Sequence, residues 1–173
     1  MTIHARTERL LLRDWSPDDV DAYAAIMGDP EVMRHIGNGQ PRTREHAESF
    51  VADMMAHKKS RGWMRFAVEH VESGQLMGFA GFEDKAGLLY FGWRFGQDWW
   101  GGGYGFEASA AALWVGRNTF GLTRIVAQSY PENGGSVRMM KKMGMSLLGT
   151  SESFGRELVV YGFPEDWPDG WRR

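Results

Sequence analysis

The residues with the most chemical promise are Trp99-Trp100-Gly101-Gly102-Gly103-Tyr104-Gly105-Phe106-Glu107-Ala108. Four glycines in five positions strip the side chains from the point where the chain enters an Ala-rich helix. Several backbone N–H groups are then free to point at one anion, at the helix end that carries partial positive charge. That arrangement suits a diphosphate. A glycine turn with no ligand is the plain alternative, but one or two glycines suffice for a turn. A Walker A loop is excluded, because Gly105-Phe106-Glu107 stands where Gly-Lys-Ser/Thr is needed. Gly103-Tyr104-Gly105-Phe106-Glu107-Ala108 matches the dinucleotide pattern. Its surroundings do not match: three antiparallel-looking strands come first, and no acidic residue ends a strand about 20 residues later.

A second cluster, Pro131-Glu132-Asn133-Gly134-Gly135-Ser136-Val137-Arg138, opens a further helix and runs on into Met139-Met140-Lys141-Lys142-Met143. Two shorter motifs lie upstream, Thr7-Glu8-Arg9-Leu10-Leu11-Leu12-Arg13 and Asp29-Pro30-Glu31-Val32-Met33. With the glycine loop, these four motifs resemble the GNAT superfamily of acyl-CoA N-acetyltransferases, nearest the branch that acetylates the N-termini of ribosomal proteins. The resemblance runs from Thr7 to Phe163.

The resemblance implies a role for each matching position. The backbone of Trp93, Arg94 and Phe95 is expected to meet the pantetheine arm and acetyl carbonyl of acetyl-CoA. Trp100, Gly101, Gly102, Gly103, Tyr104 and Gly105 are expected to bind the pyrophosphate through N–H groups. Asn133 is expected to hydrogen-bond the cofactor arm, Ser136 to lie near the thioester sulfur, and Arg138 to reach a phosphate. An amine acceptor attacks the bound thioester directly, with no covalent enzyme intermediate and no metal. The resemblance is also compatible with a homodimer.

Two positions depart from the family pattern. Tyr90 stands before Gly92 at the place where many relatives carry a carboxylate, and Met140 replaces a tyrosine acid four residues after Ser136. Weak proton donation is tolerable, since a CoA thiol with a pKa near 8.5 leaves well. The acceptor is more constrained. An α-amine asks about 1 kcal/mol for deprotonation at neutral pH, whereas a lysine-type amine asks roughly 4–5. A site without an evident strong base therefore favours an α-amine. Glu83, ending a strand near the centre, is the remaining base candidate, acting through water; a solvated strand-end carboxylate is its plain alternative. The acceptor pocket is expected from residues 34–44 and 154–157.

The elements that must position these groups follow from periodicity and turn chemistry. A strand is expected over residues 7–15, then a helix capped by Ser16 with Pro17 in its first turn and ended by Gly28-Asp29-Pro30. A second helix covers about 43–57. Strands follow from Trp63, over 76–83 and over 88–95, where Gly92 points to a bulge or a close backbone approach. Helix 103–119, strand 123–129, helix 133–143 and a hairpin of 146–154 with 157–163 complete the order. Residues 164–173 read as an irregular tail. This order means one α+β domain spanning residues 1–173, with a mixed, mostly antiparallel sheet flanked by helices.

Bulk properties agree with one folded domain: 173 residues, 43% hydrophobic and 24% charged. Twenty Lys+Arg against 22 Asp+Glu argue against a nucleic-acid partner. With no cysteine there is no disulfide, thiolate metal site or Cys nucleophile. The five histidines form no H-x-x-x-H pair, so no metal is expected. No apolar run reaches the roughly 18 residues of a membrane span, so the expectation is a cytoplasmic protein with no membrane partner. A CoA-binding module without transfer activity and, further off, a dinucleotide-dependent oxidoreductase are the alternatives to an acetyltransferase.

Overall fold

A computed structural model describes residues 1–167. Its centre is an eight-stranded sheet in the order β1-β2-β3-β4-β5-β6-β8-β7. The first strand signal divides in two: β1 (Ile3–Arg6) and β2 (Leu10–Arg13) pair antiparallel across a short turn. Thr7 closes that turn, its N–H donating to Leu10 C=O at 2.9 Å.

Ser16 acts as the expected cap, but it opens a single 3₁₀ turn, Pro17–Asp19, that leads into α1 (Val20–Gly28). Asp29-Pro30 ends α1 and also starts α2 (Pro30–Met33): the Asp29 carboxylate accepts from Glu31 N–H at 2.9 Å, and Pro30 needs no N–H partner. The long helix α3 (Arg44–Arg61) ends at Gly62 with φ +82°. Strands β3 (Arg65–His70), β4 (Leu76–Lys85) and β5 (Leu88–Phe95) form an antiparallel meander.

The expectation for Gly92 is corrected here. It pairs in unbroken register with Gly81, and a Cβ placed on it would meet only Phe79, at 3.9 Å. The two facing glycines lower the sheet surface rather than bulging a strand.

After β5, a 3₁₀ turn (Gln97–Trp99) and the glycine loop lead into α4 (Tyr104–Phe120). Strand β6 (Ile125–Ser129) then runs parallel to β5. Helix α5 (Gly134–Lys142) follows, and β7 (Ser146–Ser153) with β8 (Arg156–Gly162) forms the closing hairpin. Strand β8 inserts between β6 and β7. Of the irregular tail, Pro164–Trp167 makes a turn that buries Trp167 against Val126 and Val160; residues 168–173 lie outside the described part. Among the described residues no helix is long and apolar enough to cross a membrane.

The alternation of β3–β5 sorts residues onto two faces. Phe66, Ala80, Phe82, Phe91 and Phe95 are buried on the face toward α4. On the other face, Phe79 meets the rings of Tyr23 and Phe50 from α1 and α3. Beyond that packed patch the second face carries Arg65, Gly81, Glu83, Tyr90, Gly92 and Arg94.

Candidate active site

Strands β5 and β6 pair only at Leu89↔Ile125 and Tyr90↔Val126, then part. The rest of β5, Phe91–Phe95, therefore has one edge without a strand beside it. Gly96 N–H donates to Met77 C=O on the β4 side, whereas Phe95 C=O accepts the Trp100 indole N–H on the other side, at 2.9 Å. Backbone groups alternate along an antiparallel strand. The N–H and C=O of Phe91 and Trp93 thus face the gap between β5 and β6. Arg94 turns its backbone to β4 and reaches the site with its side chain.

At the end of the gap the chain makes its glycine loop. Gly101 (φ +78°) and Gly103 (φ +79°) hold the left-handed backbone that only glycine adopts without strain. Gly103 is the N-cap of α4, and a Cβ on Gly101 would meet nothing within 4 Å. Trp100 N–H closes the 3₁₀ turn on Gln97 C=O, so the run of unclaimed helix-end donors begins after it.

A brace lies behind the loop. The Glu107 carboxylate accepts from Thr7 Oγ1 at 2.6 Å and from Arg9 Nε at 2.8 Å, and Arg9 Nη1 donates to Gly102 C=O at 2.9 Å. Burial opposes ionisation of Glu107, but the bonds from Thr7 and Arg9 outweigh it and hold its pKa below the ordinary value. The guanidinium of Arg9 also stacks over the Tyr104 ring, 4.2 Å from its centre.

Opposite the loop, Asn133 caps α5: its Oδ1 accepts Ser136 N–H at 3.3 Å. Ser136 sits half-buried in the first turn of α5, and Met140, one turn later, is fully in the core. Arg138 folds back over the start of α5, with Nη1 3.1 Å from where a Gly134 Cβ would stand. Glu83 is engaged by Arg65, whose Nη2 donates to its Oε2 at 2.5 Å.

These parts enclose one cleft of about 960 Å³. It brings together Glu83, Tyr90, Trp93, Arg94, Phe95, Trp100, Gly101, Gly103, Gly105, Asn133, Ser136 and Arg138. Gly102 and Tyr104 stand behind its wall: a Cβ on Gly102 would lie 2.8 Å from the Tyr104 ring. The anticipated acceptor segments also meet. Tyr130 Oη donates to Gly37 C=O at 2.7 Å, and the Phe154 ring lies against Gly37. Trp15 lies in the core, its indole N–H donating to Arg65 C=O at 2.6 Å.

Sequence reasoning missed the brace of Arg9 with Glu107, the side chains of Arg65 and Arg94, and Tyr130. Arg9 and Glu107 both lie within quoted motifs, but their contact spans 98 positions and has no local signature. Among the described residues, no group of three or more His, Asp or Glu is placed to hold a metal ion.

The site fits a CoA thioester: side-chain-free N–H donors at a positive helix end, an open strand edge for an extended arm, and Arg138 and Lys142 at the cleft wall. Residues 9–146 match the sequence profile of the acetyltransferase (GNAT) domain. YnaD of Bacillus subtilis, an uncharacterized N-acetyltransferase, is 34% identical over 169 residues, covering 96% of this chain and 93% of its own. A GNAT-family acetyltransferase structure from Bacillus anthracis superposes with a TM-score of 0.79 at 30% identity, covering 93% of this chain and 96% of that one. RimL, a ribosomal L7/L12 alpha-N-protein acetyltransferase solved in complex with coenzyme A, shares the fold at TM-score 0.77 and 15% identity, covering 92% and 96%. A profile that spans most of the chain, joined to a relative that agrees over nearly all of it, makes this protein a member of the GNAT acetyltransferase family.

Proposed function

We propose that the chain moves the acetyl group of acetyl-CoA to a primary amine, with a peptide N-terminal α-amine favoured, by direct attack in a ternary complex. The observation that carries this reading is the free edge of β5, which runs along the gap into the glycine loop of α4. RimL shares that fold and acts on an N-terminal α-amine, which supports the same acceptor class here.

Acetyl-CoA, when bound, supplies a carbonyl activated by a thiol leaving group. The N–H groups of Gly101, Gly103 and Gly105, which line the cleft, hold the diphosphate at the positive end of α4. Trp93 N–H, turned to the gap, donates to the carbonyl oxygen as negative charge builds there. Ser136 Oγ donates toward the departing sulfur from the first turn of α5. Glu83 already accepts from Arg65, which suits an acceptor that asks little of a base. Positioning in the cleft contributes much of the remaining acceleration.

Thiol release in the presence of three acceptors tests the reading: a peptide with a free N-terminus, an α-blocked lysine, and a polyamine. The peptide should react fastest. Much faster acetylation of lysine or polyamine would overturn the α-amine assignment. Ser136→Ala should lower turnover by about 10²-fold or more if the hydroxyl is a proton donor; a loss under about threefold would remove it from the mechanism. Binding of acetyl-CoA without release to any amine would favour a CoA-binding module.

A further inference from the structure

The open face of the sheet carries more positive charge than it neutralises. Arg94, Gly92 and Tyr90 on β5 stand beside Phe79, Gly81 and Glu83 on β4, and Arg65 on β3 stands beside Gly81. Both arginines line the cleft, and both guanidinium groups lie over the Phe79 ring, 5.2 Å and 5.4 Å from its centre. The facing glycines leave the floor between them without side chains.

Their partners are unequal. Arg65 is paired with Glu83 through Nη2. Arg94 donates through Nη1 to Tyr23 Oη at 2.9 Å, and no carboxylate among the described residues pairs with it. Tyr23 is fully buried, and that burial pushes its phenol pKa up, so it stays a neutral partner. In addition, Nε of Arg65 and Nε of Arg94 are both buried without a hydrogen-bond partner among the described residues. A guanidinium presents five donors in a planar fork that matches a carboxylate. Leaving such a cation half-buried without a counter-ion is costly, and an acidic ligand is what offsets it.

We propose that Arg94 and Arg65 form a carboxylate subsite in the acceptor half of the cleft, so that the acceptor carries a carboxylate close to the amine it offers. This rests on the acetyltransferase reading above and narrows its substrate class. The Arg65–Glu83 pair orients the fork of Arg65, and Tyr23 holds Arg94 from below. A carboxylate over the glycine floor then sets the amine on the β5 side, where Trp93 faces the gap. The carboxylate has two natural sources, the main-chain carboxylate of a free amino acid or an acidic side chain at the start of a peptide.

Matched pairs separate these sources. One arm compares a free amino acid with its α-amide; the other compares a peptide beginning with aspartate with its asparagine counterpart. In at least one arm the carboxylate member should show a kcat/KM at least about tenfold above the neutral one. Arg94→Gln and Arg65→Gln should bring that ratio near one while the acetyl-CoA melting shift is retained, and Arg65→Lys should keep part of it. Ratios near or below one in both arms for the wild type would overturn the proposal, with acetyl transfer itself still standing. Calorimetry with the N-acetylated amino acid and its amide, in the presence of CoA, reads the subsite without turnover. Preferential binding of the carboxylate form, lost in Arg65→Gln, supports the subsite even where no amine is acetylated. Equal binding of the two forms, or none, contradicts it.

Discussion

Asp14 shows how single side chains hold the frame around the site. Its carboxylate accepts from Lys58 Nζ at 2.6 Å, from His4 Nε2 at 2.7 Å and from Thr2 N–H at 2.8 Å, tying β1 to α3. Burial alone would raise its pKa, but these partners outweigh burial and hold it well below the carboxylate range. An unfolded aspartate titrates near 3.9, so the folded state binds fewer protons than the unfolded state at acid pH. The stabilisation is therefore complete above about pH 5 and is lost as pH falls through 4 and below. Asp14→Asn should cost about 1–2 kcal/mol at pH 7, allowing for partial solvent screening. Denaturant melts of both proteins at pH 7 and pH 3 check this: the gap between them should shrink at the lower pH, and a constant gap would refute the account. None of this was visible in the sequence, because Asp14 meets Lys58 across 44 positions.

The elements were legible wherever local chemistry decides. Ser16-Pro17, the alternation of β3–β5 and the glycine loop all name their structures from neighbours in sequence. The gaps have physical causes. Ile3–Arg6 is too short for alternation to register and exists as a strand only because β2 pairs with it. Asp29-Pro30 reads as a stop, yet an Asp cap with Pro in the first turn is also a start, and here it is both. At the site, the glycine loop and the opening of α5 were readable, while the brace behind the loop was not. Glu107→Gln tests that brace. It weakens the acceptor of Thr7 and Arg9, so the loop should be held less firmly on the turn between β1 and β2. The KM for acetyl-CoA should rise about three- to tenfold, a change of about 0.7–1.4 kcal/mol, with turnover at saturation within about twofold. An unchanged KM, measured by thiol release, would mean that the loop needs no support from Arg9.

At the scale of the whole molecule, function follows from where the sheet fails to close. Six of the seven junctions between neighbouring strands are antiparallel, and the one parallel junction, β5 with β6, holds for two residue pairs before opening. Helix α4 brings its N-terminus to one end of that opening and α5 brings its own to the other side. Tyr130, following β6, ties residue Gly37 to the wall, and Arg156 pairs with Glu132 nearby. The order of elements in the sequence implied a mixed sheet, but the opening itself depends on contacts between distant segments. Thermal unfolding with excess acetyl-CoA, with NAD in parallel, tests the central claim most directly. Ligand at about 100 times its Kd adds about 2.7 kcal/mol, which is roughly 5–10 °C for a chain of this length. The account predicts that shift with acetyl-CoA and none with NAD. No shift with acetyl-CoA, or an equal shift with NAD, would contradict it.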